Sequence, residues 1–574
     1  MKRRKMKRII SLLLVIIWAL SLCIIGLTAC VWDNPNQSDS SNTSATTTDT
    51  TTKPIDNSTD DPTDDPNYDP NKPEEFHLVR KMIMNKEKHL LVFNKTENLS
   101  FEELVLAQAI QGIYARTSAR YYSWSAGSYD IWLQDMVDNY GYTYECVTLE
   151  QMVKAYIQDY GKKYVLYDRA ALAETTNSAC AIAGVTGYLP VDVKIRDKAE
   201  SWGLEIQIDA SKMTERTCFD IYKDKFNTDG IVQQDPNNIN LRDWAVACKY
   251  FVFFRKGETS ENMAFREEVH NWLDDDSAMF GWCPNDEVRD VGFASQHGQF
   301  TFPSDHSKNT TIFACADAFG ELDFTQNAKE TGVKAEQGKH YVCIMMSDGD
   351  NVQMWYNRDS FIDRSTYFGA ERDNSFPMGW SVQPGLLDLG PIVLNCLKNE
   401  AGPKDYFVAS VSGLGYIYPQ VYPTLDTYLE SLGKYLAATD LSVVQILDSG
   451  ADQRVIEAYA RVPELKGGIY CYGDRYAGGN GSVFWSNDKP FVSIRETLWN
   501  ANVEAMAQRI NGYAKDPTTI EGYTAINLHP WSMTYADAAK LVSLLDENVV
   551  VVTADDFIRL ITENVPHKNA ILLK

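Results

Sequence analysis

The second half of the chain alternates short apolar runs with segments of helical periodicity. The runs VVQIL (443–447) and VVVV (549–552) are almost wholly apolar, which is typical of strands buried on both faces of a parallel sheet. The segments 424–438 and 534–547 instead repeat apolar residues at helical spacing. Eight such strand–helix units follow one another within residues 336–574, and this order predicts a (β/α)8 TIM-like barrel.

The part of the chain before this predicted barrel has the pattern of about three smaller α/β units. Strand-like runs followed by helical segments divide it into units 74–160, 161–240 and 241–335. The segment 279–309 is polar and rich in aromatic residues, and it includes Trp282. We predict that it is a loop that either contacts a ligand or connects domains. The predicted fold class is therefore α/β with several domains.

The first 73 residues follow a third pattern. Six basic residues precede an apolar run from Ile9 to about Gly26, and Leu-Thr-Ala-Cys ends the run at Cys30. This resembles a bacterial lipoprotein signal peptide, residues 1–29, whose removal leaves Cys30 as the lipid-attachment residue; an uncleaved membrane anchor is the alternative. Residues 30–73 are rich in Ser, Thr and Asp, which predicts a disordered tether. In either case we expect an extracytoplasmic protein that meets the membrane only through its amino-terminal anchor.

The composition narrows the possible partners. A net charge of −24 opposes the binding of nucleic acid or anionic polymers, whereas neutral saccharides bind through hydrogen bonds and stacking. The chain has 31 tyrosines and 13 tryptophans, which supply aromatic faces for such stacking, although many of these rings belong to the core. The sequence contains no CxxC or HExxH motif, so we predict neither a metal site nor a cofactor.

Polar or aromatic residues follow most of the predicted barrel strands at their carboxyl ends. Barrels of this kind build their active sites from these positions and from the loops that follow them. Some of these residues could instead cap the next helix, as Asp348 could with Asn351. The predicted substrate-binding residues are Asp348, Asp350, Asn351, Gln383, Tyr416, Tyr418, Tyr472, Asp474, Arg495, His529 and Trp531, together with Trp282 from the segment before the barrel.

Two carboxylates at strand ends form the predicted catalytic pair. Hydrolysis of a glycosidic bond needs one carboxyl group as an acid and a second as a nucleophile or base. Asp448 follows the fourth predicted strand, and Glu496 lies at the end of the sixth. We assign Asp448 as the nucleophile or base and Glu496 as the general acid. The neighbouring Arg495 could keep a carboxylate ionised.

The stretch GLGYIYP (413–419) lies in the predicted loop after the third barrel strand. A phosphate-binding loop would continue with Lys and Ser or Thr after its last glycine, and this loop continues with Tyr416. The string resembles the G-x-G-Y-x-Y-P signature of the GxGYxYP family of bacterial secreted proteins. The resemblance implies a glycoside hydrolase with an α/β amino-terminal region and a carboxyl-terminal barrel, and it implies no particular catalytic residues.

Two other functions remain open from the sequence. The strand ends at Asp348, Asp350 and His529 faintly resemble those of metal-dependent polysaccharide deacetylases, but the H-x-x-x-H motif expected on the next strand is absent. A tethered surface protein that binds glycans without cleaving them is the second alternative. Such a binding protein needs no pair of facing carboxylates, so the position of the acidic side chains distinguishes it from a glycosidase.

Overall fold

The computed structural model describes residues 82–573 of the chain, apart from residues 84, 283, 316–321, 328, 364, 365, 371, 373, 374 and 569. The predicted signal peptide, Cys30 and the tether lie outside the described residues. Within the described ranges, no helix is both long enough and apolar enough to cross a membrane.

Three small parallel sheets form the amino-terminal region, in agreement with the predicted α/β class. Their strand orders are β2-β1-β3, β5-β4-β6 and β10-β9-β7-β8. The strands are β1 (His89–Phe93), β2 (Tyr121–Ser123), β3 (Thr143–Cys146), β4 (Lys163–Tyr167), β5 (Leu189–Asp192), β6 (Glu205–Asp209), β7 (Gly230–Gln233), β8 (Val252–Phe253), β9 (Ser277–Gly281) and β10 (Gln299–Pro303).

Helices connect these strands, and two of them begin with a capping box. The Ser100 hydroxyl accepts a hydrogen bond from the Glu103 N–H, and the Glu103 carboxylate accepts one from the Ser100 N–H. Thr148 and Gln151 cap another helix in the same way. Such caps satisfy N–H groups that have no partner inside the helix. The helices are Phe101–Ala115, Ser128–Tyr140, Leu149–Tyr160, Thr175–Thr186, Arg196–Ser201, Glu215–Tyr222, Arg242–Cys248, Ser260–Trp272, Glu287–Gln296 and Thr310–Phe313, with 3-10 turns at Val193–Ile195 and Lys223–Lys225.

One large curled sheet organises the carboxyl-terminal region. The eight predicted strands of this region are all present. Helices separate them except between the fifth and the sixth, where a 3-10 turn and one further strand intervene. The strands are β11 (His340–Met346), β12 (Met378–Val382), β13 (Asp405–Ala409), β14 (Val443–Leu447), β15 (Gly467–Cys471), β16 (Val483–Ser486), β17 (Lys489–Ser493), β18 (Glu496–Leu498), β19 (Tyr523–Leu528), β20 (Val549–Val552) and β21 (Ala570–Ile571). The helices are Val352–Tyr356, Leu386–Leu389, Pro391–Glu400, Leu425–Ala438, Gln453–Ala460, Val503–Gly512, Tyr535–Ser543 and Ala554–Asn564, with 3-10 turns at Pro419–Val421, Asp474–Tyr476 and Ile520–Gly522.

The strand order of the curled sheet departs from that of a regular (β/α)8 barrel. In such a barrel the eighth strand lies between the seventh and the first. Here the seventh predicted strand, β19, pairs directly with the first, β11. The eighth, β20, pairs with the amino-terminal half of β11 along the opposite edge. On that edge His340 N–H donates to the carbonyl oxygen of Asn548, and on the β19 edge Ser347 N–H donates to the carbonyl oxygen of Leu528. The predicted (β/α)8 TIM-like barrel is therefore a curled sheet whose last strand departs from the regular order.

The sixth predicted strand is bent into two segments. Its first part, β17, pairs with β15, and its second part, β18, pairs with β19. At the bend, Ile494 N–H donates to Tyr470 and Arg495 N–H donates to Ala525, so the chain passes from one neighbour to the other within two residues. This bend also changes which face of the sheet the following side chains occupy.

The loop 413–419 joins the curled sheet to the third amino-terminal sheet. Thr301 of β10 and Tyr416 exchange two backbone hydrogen bonds, of 3.0 and 2.9 Å. The Tyr428 hydroxyl accepts a hydrogen bond from Gly415 N–H (3.0 Å) and donates one to Gly415 O (2.9 Å). A Cβ atom at Gly415 would lie 2.6 Å from a ring carbon of Phe300. A glycine is therefore needed here because the two layers approach closely.

We expect Gly415→Ala to lower the free energy of unfolding by about 1–3 kcal/mol, because the added methyl group must displace a packed phenylalanine ring. Thermal and denaturant unfolding measure this change. The matched control is Gly450→Ala, where the added methyl group would meet no other atom within 4 Å and the effect should stay below about 0.5 kcal/mol. Equal effects of the two substitutions would contradict the importance of this close contact.

Candidate functional site

A pocket of about 310 Å³ lies at the carboxyl ends of the curled-sheet strands. This is the end where parallel α/β folds bind their ligands. Two of its lining residues, Trp282 and Glu287, belong to the segment just after β9 of the third amino-terminal sheet and to the helix that follows, not to the curled sheet. The pocket is lined by Trp282, Glu287, Ser347, Asp348, Asp350, Asn351, Gln353, Met354, Val411, Tyr416, Leu447, Tyr476 and Trp531.

Glu287 is the first residue of helix Glu287–Gln296, and Asp286 caps that helix by accepting the Arg289 N–H. The Tyr416 hydroxyl donates a 3.1 Å hydrogen bond to Oε1 of Glu287. Burial raises the pKa of Glu287, the bond from Tyr416 opposes this, and the nearby charges of Asp348 and Asp286 raise the pKa further. Glu287 therefore retains its proton to a higher pH than an ordinary glutamic acid.

Asp348 and Asp350 belong to the turn that follows β11. Trp531 Nε1 donates a 2.8 Å hydrogen bond to Oδ1 of Asp348, and the Ser347 hydroxyl donates to Oδ2. Asp350 is only 3% exposed. Burial raises its pKa well above the ordinary value, and the charges of Asp348 and Glu287 add to this effect. The pocket thus holds Asp348, whose oxygens accept two hydrogen bonds, beside two carboxyl groups whose pKa values are raised.

Aromatic rings form much of the remaining wall. Tyr416 is buried, and its hydroxyl lies 3.2 Å from that of Tyr418, which stands behind it. Trp531 is 50% exposed and lies at the mouth of the pocket. Trp282 and Tyr476 complete the set of rings. Flat rings around convergent polar groups are well suited to a sugar, because its C–H faces stack and its hydroxyls form hydrogen bonds.

The pocket brings together part of the predicted site. Asp448, the predicted nucleophile or base, is not among its lining residues. Its two carboxylate oxygens accept the N–H groups of Gln420 (2.9 Å) and Ser449 (2.8 Å), so it holds the exit of the loop 413–419 against β14. The predicted residues that do line the pocket are Trp282, Asp348, Asp350, Asn351, Tyr416 and Trp531.

Glu496, the predicted general acid, also lies outside the pocket lining. Its carboxylate accepts hydrogen bonds from Arg509 Nε (2.9 Å) and Nη2 (2.6 Å), and from the Tyr513 hydroxyl. Arg495 does not bind this carboxylate; it donates to the carbonyl oxygens of Glu521 (3.0 Å) and Tyr523 (3.2 Å). Glu496 thus faces the helix that follows its strand and joins the two in an ion pair.

The other predicted residues take supporting positions. The Gln383 amide, with its nitrogen turned toward the loop 413–419, donates to the carbonyl oxygens of Gly413 (2.6 Å) and Leu414 (2.8 Å). The His529 ring stacks on Trp499 with 3.6 Å between the ring centres and bonds to the Ser532 hydroxyl (2.9 Å). None of these lines the pocket, nor do two further predicted residues, Tyr472, which is half-buried, and Asp474, which is exposed.

Glu287 is the most important residue that the sequence-based site omits. It lies in the segment 279–309, which the sequence predicts to be a loop in contact with a ligand or between domains. The segment is instead the end of β9, a helix and β10. Its density of polar and aromatic residues is the signal that could have identified Glu287. The other omitted lining residues are Ser347, Gln353, Met354, Val411, Leu447 and Tyr476.

In the part of the chain that the structure describes, no group of three or more His, Cys, Asp or Glu side chains is arranged to hold a metal ion. The deacetylase-like alternative requires such a group around Asp348, Asp350 and His529. The His529 ring instead stacks on Trp499 and bonds to the Ser532 hydroxyl.

Taken together, these features define a multi-domain α/β protein with an acidic, aromatic-walled pocket between its two regions. Family models match three parts of the chain: "GxGYxYP_N 1st domain" at residues 89–160, "GxGYxYP third domain" at 228–315 and "GxGYxYP putative glycoside hydrolase C-terminal domain" at 338–562. These matches cover more than half of the chain, and the chain belongs to the GxGYxYP family.

A solved structure is similar along almost its whole length. It is described as a "putative hydrolase" from Bacteroides thetaiotaomicron, with a TM-score of 0.76 and 25% sequence identity over 87% of this chain and 99% of that one. No curated protein matches the chain. The family and this structural relative support a hydrolase-like function.

The environment of Asp448 predicts how the free energy of unfolding depends on pH. Burial raises the pKa of Asp448 to about 6, and the N–H groups of Ser449 and Gln420 only partly oppose this. The folded protein therefore keeps this proton at pH values where the unfolded chain has released it. As the pH rises from about 4 to about 6, the wild type should lose up to about 3 kcal/mol of stability that Asp448→Asn does not lose. Thermal unfolding of both proteins across this range measures the difference, and a difference that stays constant with pH would contradict the prediction.

Proposed function

We propose that this protein is a glycoside hydrolase that cleaves a neutral extracellular carbohydrate. The observation that carries the proposal is the convergence of Glu287, Asp348 and Asp350 on one pocket walled by aromatic rings. A pocket of about 310 Å³ has room for two carboxyl groups at the separation of roughly 5–10 Å that glycoside hydrolysis uses. The same acidity disfavours anionic substrates.

Glu287 is the general acid in this proposal. Its pKa is raised by burial and by the neighbouring acidic groups, so that it can donate a proton to the oxygen of the leaving sugar. The hydrogen bond from Tyr416 fixes its orientation. A carboxyl group that gives up its proton in the reaction benefits from such a donor, because the hydrogen bond stabilises the resulting anion.

Asp348 is the nucleophile or base. The bonds from Trp531 and Ser347 hold both of its oxygens, and donors of this kind stabilise a carboxylate. Burial raises the pKa of Asp350 well above its ordinary value, and in this proposal its protonated carboxyl group donates a hydrogen bond to substrate or to Asp348. This assignment replaces Asp448 and Glu496 with carboxyl groups that line a single pocket.

We expect Glu287→Gln and Asp348→Asn each to lower kcat by at least about a hundredfold, because each removes a group that takes part in proton transfer or attack. The measurement is product release from a panel of neutral glycans, quantified by chromatography with mass detection. Glu504→Gln is the matched control, since Glu504 pairs with Lys540 on the outer surface away from the pocket.

The same panel should include Asp448→Asn and Glu496→Gln, the substitutions that test the pair predicted from the sequence. Full activity in both Glu287→Gln and Asp348→Asn would overturn the present assignment. Loss of turnover only in Asp448→Asn and Glu496→Gln would favour the sequence-predicted pair. Binding of glycans without turnover by any form of the protein would support a surface glycan-binding protein instead.

The same proposal places the protein outside the cytoplasm, attached to the membrane through a lipid on Cys30. The support is the sequence pattern at residues 1–30. Mass spectrometry of the amino-terminal peptide from the membrane fraction should find a chain that begins at an acylated Cys30. Cys30→Ser should abolish this species, and Cys23→Ser, within the apolar run, should leave it unchanged. Recovery of peptides that precede Cys30 would indicate an uncleaved anchor.

A further inference from the structure

A second pocket lies at the carboxyl ends of the third amino-terminal sheet and encloses about 510 Å³. All four strands of that sheet contribute to it. Gln234 and Asp235 follow β7, Phe254 follows β8, Trp282 follows β9, and Asp305 lies two residues beyond β10. In the strand order β10-β9-β7-β8, the chain leaves β7 for β8 on one side and later adds β9 on the other. Such a reversal opens a crevice at the carboxyl ends of the strands, where open α/β sheets bind ligands.

This second pocket adjoins the first. Trp282 lines both of them, so its indole forms a shared wall. The His306 N–H in the second pocket donates a 2.8 Å hydrogen bond to the Gln353 side chain, which lines the first. A ligand that extends past Trp282 would therefore pass from one pocket into the other.

The lining of the second pocket is suited to a neutral, hydroxyl-rich ligand. Its polar groups include the side chains of Asp235, Asn237 and Asn238, and its apolar surface includes the rings of Phe101 and Phe254. Amides and carboxylates bind hydroxyl groups, and rings stack on the faces of sugars. Arg169 lies beside this lining, where it donates a 3.2 Å hydrogen bond to Asn237 Oδ1 and forms a 2.6 Å ion pair with Glu102. His306 lies 3.5 Å from the Asp305 carboxylate. A phosphate or other anion would have to compete with the Glu102 carboxylate for the Arg169 guanidinium.

We infer that the second pocket is an additional sugar-binding subsite and that the substrate is an oligosaccharide or polysaccharide chain that passes over Trp282. This inference rests on the proposed glycosidase function of the first pocket. Glu287, Asp348 and Asp350 act on one bond of the chain, and the second pocket holds sugars further along it. The residues that bind these sugars are Asn237 and His306, both exposed, with Phe254 as a stacking surface.

The test is the dependence of binding and cleavage on chain length. The probes are disaccharide to hexasaccharide series of β-1,4-gluco-, β-1,4-xylo-, β-1,4-manno- and α-1,4-glucooligosaccharides. Calorimetry on Glu287→Gln should show an affinity that rises at least about tenfold from disaccharide to hexasaccharide in one series. Adding Asn237→Ala and His306→Ala should remove this gain while leaving disaccharide affinity unchanged. Asn271→Ala, an exposed asparagine on another helix, is the matched control.

The outcomes separate this inference from the proposed function. Chain-length-dependent binding without cleavage by the wild type would support the subsite and refute the glycosidase. Cleavage with equal kcat/KM for short and long chains, or with an unchanged length dependence in the double substitution, would refute the subsite and leave the glycosidase standing. A failure of every series to bind would refute both.

Discussion

The backbone pairing between Thr301 and Tyr416 holds the pocket together. Glu287 and Trp282 come from the third amino-terminal sheet region, whereas Asp348 and the other acidic wall come from the curled sheet. The two hydrogen bonds between Thr301 and Tyr416 fix the loop 413–419 to the edge of β10. The side chain of the same Tyr416 then reaches Glu287. Tyr416 therefore contributes both to the contact between the two regions and to the orientation of the proposed acid.

Three carboxyl groups, those of Glu287, Asp348 and Asp350, lie close together in this pocket. Burying them together costs folding free energy, and it also changes their pKa values. Burial raises the pKa values of Glu287 and Asp350, and the charges of the neighbouring acidic side chains raise them further. Asp348 lies between two donors, Trp531 and Ser347, which compensate a negative charge. The carboxyl groups therefore differ in environment: two have raised pKa values and one accepts two hydrogen bonds, and the proposed acid–base chemistry depends on such a difference.

Much of the fold follows from local patterns, but the pairing order does not. Uninterrupted apolar runs such as VVVV (549–552) identify buried strands because both faces of such strands are covered. A run of this kind carries no information about which neighbour it pairs with. β20 therefore pairs beside β11 at the position where a regular barrel would not place it. The turn at Asn487 and Asp488, both with positive φ, likewise inserts the β16–β17 hairpin that the apolar pattern alone does not indicate.

The site can be predicted only where it depends on one strand and its own loop. Asp348 and Asp350 are identifiable because they follow a buried strand directly. Glu496 lies outside the pocket lining because the alternation of side chains changes at residues 494–495, so that Glu496 shares a face with Ile526 and meets Arg509. To predict Glu287 as a site residue, one would have to know that its helix contacts the loop 413–419, which lies far away in the sequence.

The signature stretch 413–419 shows why its residue types occur together. Gly413 has a φ of 123°, which favours glycine, and Gly415 has no room for a methyl group against Phe300. These two positions let the backbone approach β10 closely enough to pair through Tyr416. Tyr418, whose N–H donates to the Ser295 hydroxyl at 3.0 Å, packs behind Tyr416 and keeps its ring directed at Glu287. The signature therefore forms the contact between two regions, and under the proposed function it acts on catalysis through the position of Glu287, which lies outside the signature.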